Sequence, residues 1–108
     1  MSEDLETNHE LGILGEILEK DELKRPPLFR VLLHNDHFTT REFVVNILQT
    51  VFHKTENEAV QIMLHVHHKG LGIAGIYSFE VAETKVRTVE KLAQAQQYPL
   101  RLSLEPEE

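Results

Sequence analysis

The chain has 108 residues, 41% hydrophobic and 27% charged, with 18 Asp and Glu against 11 Lys and Arg and a formal net charge of −7. One domain with a modest core fits that length. Nucleic acid is disfavoured as a partner for want of a basic stripe, and the absence of cysteine excludes disulfides and thiolate metal sites. No apolar run approaches the roughly 20 residues of a membrane span, and the acidic opening Met1-Ser2-Glu3-Asp4 is unlike a basic secretion signal, so a cytoplasmic protein is expected.

Residues 1–25 read as a flexible acidic extension, crowded with Glu3, Asp4, Glu6, Glu10, Glu16, Glu19, Asp21 and Glu22. Leu11, Leu14, Ile17 and Leu18 recur at helical spacing, but Gly12 and Gly15 weaken a helix. Composition favours a solvated tail; a tail that orders on a partner is the sharper alternative. Pro26-Pro27 marks the boundary, and the folded domain is expected over 26–108.

The first strand is expected from Leu28 to His34. It stops at the small polar run Asn35-Asp36-His37-Phe38-Thr39, and a helix pattern begins at once with Phe43, Val44, Ile47, Leu48, Val51 and Phe52. Thr39 and Glu42 fit a capping box for this helix, and Thr55 and Glu58 fit one for the next. The second helix buries Ala59, Ile62, Met63 and Val66 and ends at Gly70. A second strand over 72–79 should place Ile73, Gly75, Tyr77 and Phe79 on one face and Ala74 and Ile76 on the other. Glu80 to about Gln96 reads as a third helix with Ala82, Val86, Val89 and Ala93 inward and Glu83 paired to Arg87. Pro99 opens a last strand with Leu100, Leu102 and Leu104 alternating. The β-α-α-β-α-β order predicts an α+β fold of two layers, a three-stranded antiparallel sheet packed against three helices.

Among the seven histidines, His65 and His67 point about 160° apart on a helix and cannot share an ion. His65 and His68 could, but the sequence names no third ligand, so no metal is expected. His67 lies about 40° from Met63 at the margin of the apolar stripe. Alone it reads as a half-buried histidine satisfied by a backbone carbonyl. Asn35 and Asp36 change its weight, because acceptors converging on one point suit a primary ammonium. No Ser or Cys sits in a nucleophile context, so the pattern favours binding over turnover, with no cofactor.

Leu32-Leu33-His34-Asn35-Asp36-His37-Phe38-Thr39, Glu42-Phe43-Val44, Met63-Leu64-His65-Val66-His67, Glu80-Val81-Ala82-Glu83-Thr84-Lys85 and Tyr98-Pro99-Leu100, in that order, resemble the ClpS family. The resemblance runs from about Pro26 to Leu104. It implies an adaptor rather than an enzyme, one that carries proteins with Leu, Phe, Tyr or Trp at their N-terminus to ClpA, the AAA+ unfoldase of ClpAP; a monomer is expected, since the sequence shows no obvious exposed seam. By position it assigns Asn35, Asp36 and His67 to the substrate's α-amino group. Thr39, Val44, Met63, Val66 and Leu100 would line the cavity for the first side chain. Glu80, Glu83 and Lys85 match the surface for the unfoldase N-domain, and the N-terminal tail matches the segment engaged during delivery. Two positions depart from the family pattern. His37 stands where a second carboxylate is common; a protonated imidazole there would repel an ammonium. Arg41 stands where many members have a methionine, and it could either snorkel outward or lay its stem across the pocket rim. The rival is a structural interaction domain of the same shape, such as a ribosomal stalk-type domain, which would have no need of the Asn35, Asp36 and His67 set.

Overall fold

Val31 and Leu33 are fully buried and Leu32 is nearly so, which makes the first strand apolar on both faces and suits it to a central position. In the computed structural model, which describes residues 11–15 and 26–107, that strand, β1 (Leu28–His34), lies between β2 (Leu71–Ser78) and β3 (Arg101–Pro106). Both pairings are antiparallel, so the sheet has the order β2-β1-β3. Three helices complete the domain: α1 (Arg41–Thr50), α2 (Glu56–Lys69) and α3 (Phe79–Ala95). The α+β architecture expected from the sequence is the one observed.

One core holds the layers together. Val31, Leu33, Ala74 and Leu102 of the sheet meet Ile47 and Leu48 of α1, Ala59 and Val66 of α2, and Ala82, Val89 and Ala93 of α3. The helix α3 touches all three strands, whereas α1 packs on α2 and α2 on β2. The opposite sheet face carries the Arg30–Glu105 ion pair at 3.3 Å, the His34 Nε2–Ser103 Oγ hydrogen bond at 2.7 Å, and exposed Leu71, Ile73 and Ile76.

Local chemistry sets the element ends, with two departures from expectation. The Thr55/Glu58 capping box forms as expected, with Glu58 accepting from the Thr55 N–H at 2.9 Å and Thr55 from the Glu58 N–H at 3.2 Å. Gly70 ends α2 at φ 87°, a left-handed conformation in which glycine has no Cβ to clash. The cap of α1, however, is Thr40 and not Thr39: the Thr40 hydroxyl accepts from the Phe43 N–H at 3.2 Å, and the Thr39–Glu42 box is not made. Thr39 is already committed to Asp36.

The second departure is in β2. Val31 faces Gly75 but Leu32 faces Ile73, which leaves Ala74 as an extra residue. A bulge of this kind interrupts the alternation. Ala74 and Gly75 are therefore both buried, while Ile73 and Ile76 both face outward. A strict two-residue period had placed Ile73 with Gly75 and Ala74 with Ile76. A side chain at Gly75 would meet the outer end of the Tyr77 ring, so the ring lies over this glycine and would have to shift for any larger residue.

Residues 11–15 are helical with exposed side chains; the rest of the extension expected at 1–25 lies outside the described residues. Among the described residues no helix is long and apolar enough to cross a membrane.

Candidate functional site

The junction after β1 is tied down at both ends. The Asn35 N–H donates to the Gly70 carbonyl at 3.0 Å, which brings the end of β1 against the C-terminal turn of α2, where His67 lies. Asp36 then organises the next three residues. Its Oδ1 accepts the N–H groups of Phe38 at 2.8 Å and Thr39 at 2.7 Å, and its Oδ2 accepts the Thr39 hydroxyl at 2.7 Å. A carboxylate offers about four lone pairs, so roughly one remains, on Oδ2. Burial on its own would raise the Asp36 carboxyl. The hydrogen bonds from the Thr39 hydroxyl and from the Thr39 and Phe38 N–H groups outweigh it, with a contribution from His37, and hold it below the usual carboxylate value.

Between this turn, α1, α2 and the start of β3 lies a cavity of about 180 Å³. Drug-sized pockets run from about 300 to 1,000 Å³, so this one suits a single side chain. The structure brings the sequence-derived candidates together around it: Thr39, Val44, Met63, Val66 and Leu100, named for the first side chain, with Asn35, Asp36 and His67, named for the amine, and His37 and Arg41. Two unexpected residues, Leu33 and His34, join them. Leu33, Val66 and Leu100 are buried and apolar, whereas His37, Arg41 and His67 are exposed. The cavity is thus apolar within and polar at its rim. His34 was missed because it reads as the last residue of a strand; its adjacency to Asn35 was the available signal. Burial, then the nearby Arg101, keep its imidazole below the ordinary histidine value, which favours the neutral form.

His67 differs from its expected setting. It is exposed rather than half-buried, and its partner is a side chain rather than a backbone carbonyl: Arg41 Nη2 lies 3.0 Å from Nε2. A guanidinium can only donate. Nε2 is therefore the acceptor, and in the neutral ring the proton sits on Nδ1. Arg41 opens α1 and reaches across to α2, so its stem lies over the rim instead of pointing away. Among the described residues no carboxylate comes within ion-pair distance of Arg41.

None of Glu80, Glu83 and Lys85 lines the cavity. Glu83 pairs with Arg87 at 3.2 Å as expected. Lys85 donates to the Val51 carbonyl at 2.7 Å and sits 5.1 Å from the Tyr77 ring centroid. It thereby satisfies the C-terminal end of α1, where a cation is favoured. Glu80 is exposed, between exposed Phe79 and Val81.

The domain thus combines a cavity the size of one side chain, apolar within, with a rim of hydrogen-bonding groups. The family model described as ATP-dependent Clp protease adaptor protein ClpS matches residues 24–103. The chain belongs to the ClpS family. It is 60% identical over 100 residues to the ATP-dependent Clp protease adapter protein ClpS of Myxococcus xanthus, covering 93% of this chain and 94% of that one. It is 55% identical over 96 residues to the ClpS of Desulfatibacillum aliphaticivorans, covering 87% and 92%. The structure of Agrobacterium tumefaciens ClpS2 bound to L-phenylalaninamide is similar with a TM-score of 0.74 and 35% identity, covering 77% of this chain and all of that one.

Proposed function

We propose that this Clp protease adaptor recognises proteins by their first residue. The α-amino group is held by Asn35, Asp36 and His67, and a bulky first side chain (Leu, Phe, Tyr or Trp) enters the cavity lined by Thr39, Val44, Met63, Val66 and Leu100. The observation that carries this reading is the cavity itself: about 180 Å³, apolar within, and bordered by groups that can accept from an ammonium. Phenylalaninamide, the molecule bound to the Agrobacterium relative, joins a free amine to an aromatic side chain, which is the ligand chemistry such a cavity fits. Delivery to the N-domain of an AAA+ unfoldase of the ClpA type, in the cytoplasm, would use the exposed start of α3 around Glu80, with the extension at 1–25 engaged during transfer.

The test is a fluorescence titration with matched peptides starting with Leu, Phe, Tyr, Trp or Ala, each free and N-acetylated. The bulky free peptides are expected to bind. Acetylation removes the charge and two donors and leaves acceptors unpaired, at about 1–3 kcal/mol each, so binding is expected to be lost. Equal affinity for free and acetylated peptides would overturn the assignment.

A further inference from the structure

The Arg41–His67 hydrogen bond raises a problem for amine binding. A neutral imidazole has a single acceptor nitrogen, and in His67 that nitrogen already receives the Arg41 guanidinium at 3.0 Å. A substrate ammonium, itself only a donor, needs the same lone pair. If it takes Nε2 directly, it displaces the guanidinium. If the ring changes tautomer and the ammonium takes Nδ1, then Nε2 carries hydrogen and can no longer accept from Arg41. Either way the hydrogen bond must break when His67 receives the amine. Two cations are then left beside one histidine.

Among the described residues nothing at the rim resolves this. Among the described residues Arg41 has no carboxylate partner. Asp36, the acidic group at the cavity, has three of its roughly four lone pairs engaged by its own turn, and in the reading above the one left on Oδ2 goes to the ammonium rather than to Arg41. Glu42 follows Arg41 in sequence but does not pair with it. The residue is not explained by helix stability, since a cation at the first position of α1 opposes the helix dipole. A shallow groove continues from the cavity over Arg41, Glu42, Val45, Asn46, Gln49 and Met63, which offers a path for a chain leaving the mouth; Glu42 lies in it, so a gain for an acidic second residue has to come from Arg41 against that carboxylate.

The geometry points to Arg41 as a specificity-determining residue that selects substrates with an acidic side chain at the second position. This inference rests on the amine-recognition reading above. Consecutive Cα atoms are about 3.8 Å apart, so when the first residue's amine meets His67, the second residue lies within reach of the guanidinium bonded to that same ring. A carboxylate there accepts the N–H groups released from Nε2 and separates the guanidinium from the ammonium. A neutral second residue leaves Arg41 without an acceptor, and a lysine adds a third cation.

The experiment uses the full chain and C-terminally labelled peptides that differ only at position two: Leu-Ala, Leu-Glu and Leu-Lys, each free and N-acetylated. They are titrated against the wild type, Arg41→Met and Arg41→Lys. In the wild type, Leu-Glu should bind about two- to fivefold tighter than Leu-Ala, the range of an exposed ion pair, and Leu-Lys should be weakest. Arg41→Met should bind Leu-Ala more tightly than the wild type does, because no donor competes for His67, and should lose the preference for Leu-Glu. Arg41→Lys should keep part of that preference. The preference should shrink at high salt, since the pair is solvent-exposed. Amine-dependent binding of Leu-Ala with Leu-Glu equal or weaker, or a preference that survives Arg41→Met, would overturn the role of Arg41 and leave first-residue recognition standing. Absence of amine-dependent binding by any of the peptides would overturn both.

Discussion

Asp36 and Thr39 show how the two sides of one residue's chemistry compete. Both are side chains with groups free to face a ligand when read in sequence. In the fold the Thr39 hydroxyl donates to Asp36 and the Asp36 carboxylate closes the turn, so much of what Asp36 does is to shape the rim. Removing that carboxylate should therefore destabilise the domain as well as weaken binding. Its folded-state pKa is depressed, so its contribution is present above the unfolded aspartate value of about 3.9 and is lost as pH falls through the lower folded value. Asp36→Asn is expected to be about 1–3 kcal/mol less stable than the wild type near neutral pH, with the gap closing below about pH 3.9. Thermal melts of both proteins from acid to neutral pH check this; a gap that does not depend on pH would mean that the charge has no part in the turn.

At the scale of elements, α2 contributes two neighbouring cavity residues with different structural weight. Val66 is 5% exposed and belongs to the core, while Met63 is only partly buried and faces the cavity. Sequence spacing had placed both on one buried face. The structure separates them. Val66→Ala should cost about 1–3 kcal/mol as a core truncation. Met63→Ala should cost less and shift the preferred first residue toward larger rings, because the flexible thioether that fills part of the cavity is gone. Melting curves beside titrations with Leu- and Trp-initiated peptides distinguish the outcomes, and a destabilised Met63→Ala with unchanged preference would make Met63 ordinary core. The start of α3 divides in the same way. Lys85 holds the carbonyl end of α1, so Lys85→Glu is expected to lower the melting temperature, whereas Glu80→Lys is expected to weaken capture of an unfoldase N-domain with little change in melting or in peptide affinity. If Glu80→Lys leaves capture intact, the docking surface lies elsewhere.

Over the whole molecule, the elements and their order were legible in sequence because each carries its own pattern: apolar spacing for α1, α2 and α3, an apolar run for β1, alternation for β3, and punctuation by Thr55 and Gly70. Asn35 and His67 could be singled out by chemistry alone, whereas Thr39, Val44 and Leu100 were placed at the cavity only through the resemblance to ClpS. Local patterns failed where two neighbours competed for one role. Thr39 and Thr40 both suit a helix cap, and the claim of Asp36 on Thr39 decided between them. In β2 the bulge at Ala74 has no period of its own and arises where β2 pairs with β1. The sequence by itself thus determined the helices and strands, the single core and the kinds of side chain available for recognition. Only the tertiary structure decided which of those groups are still free. Arg41 meets His67 across 26 positions, and Lys85 meets Val51 across 34. A hydrogen bond forms or fails over a few tenths of an ångström, a distance set by how α1, α2 and α3 pack rather than by any spacing along the chain.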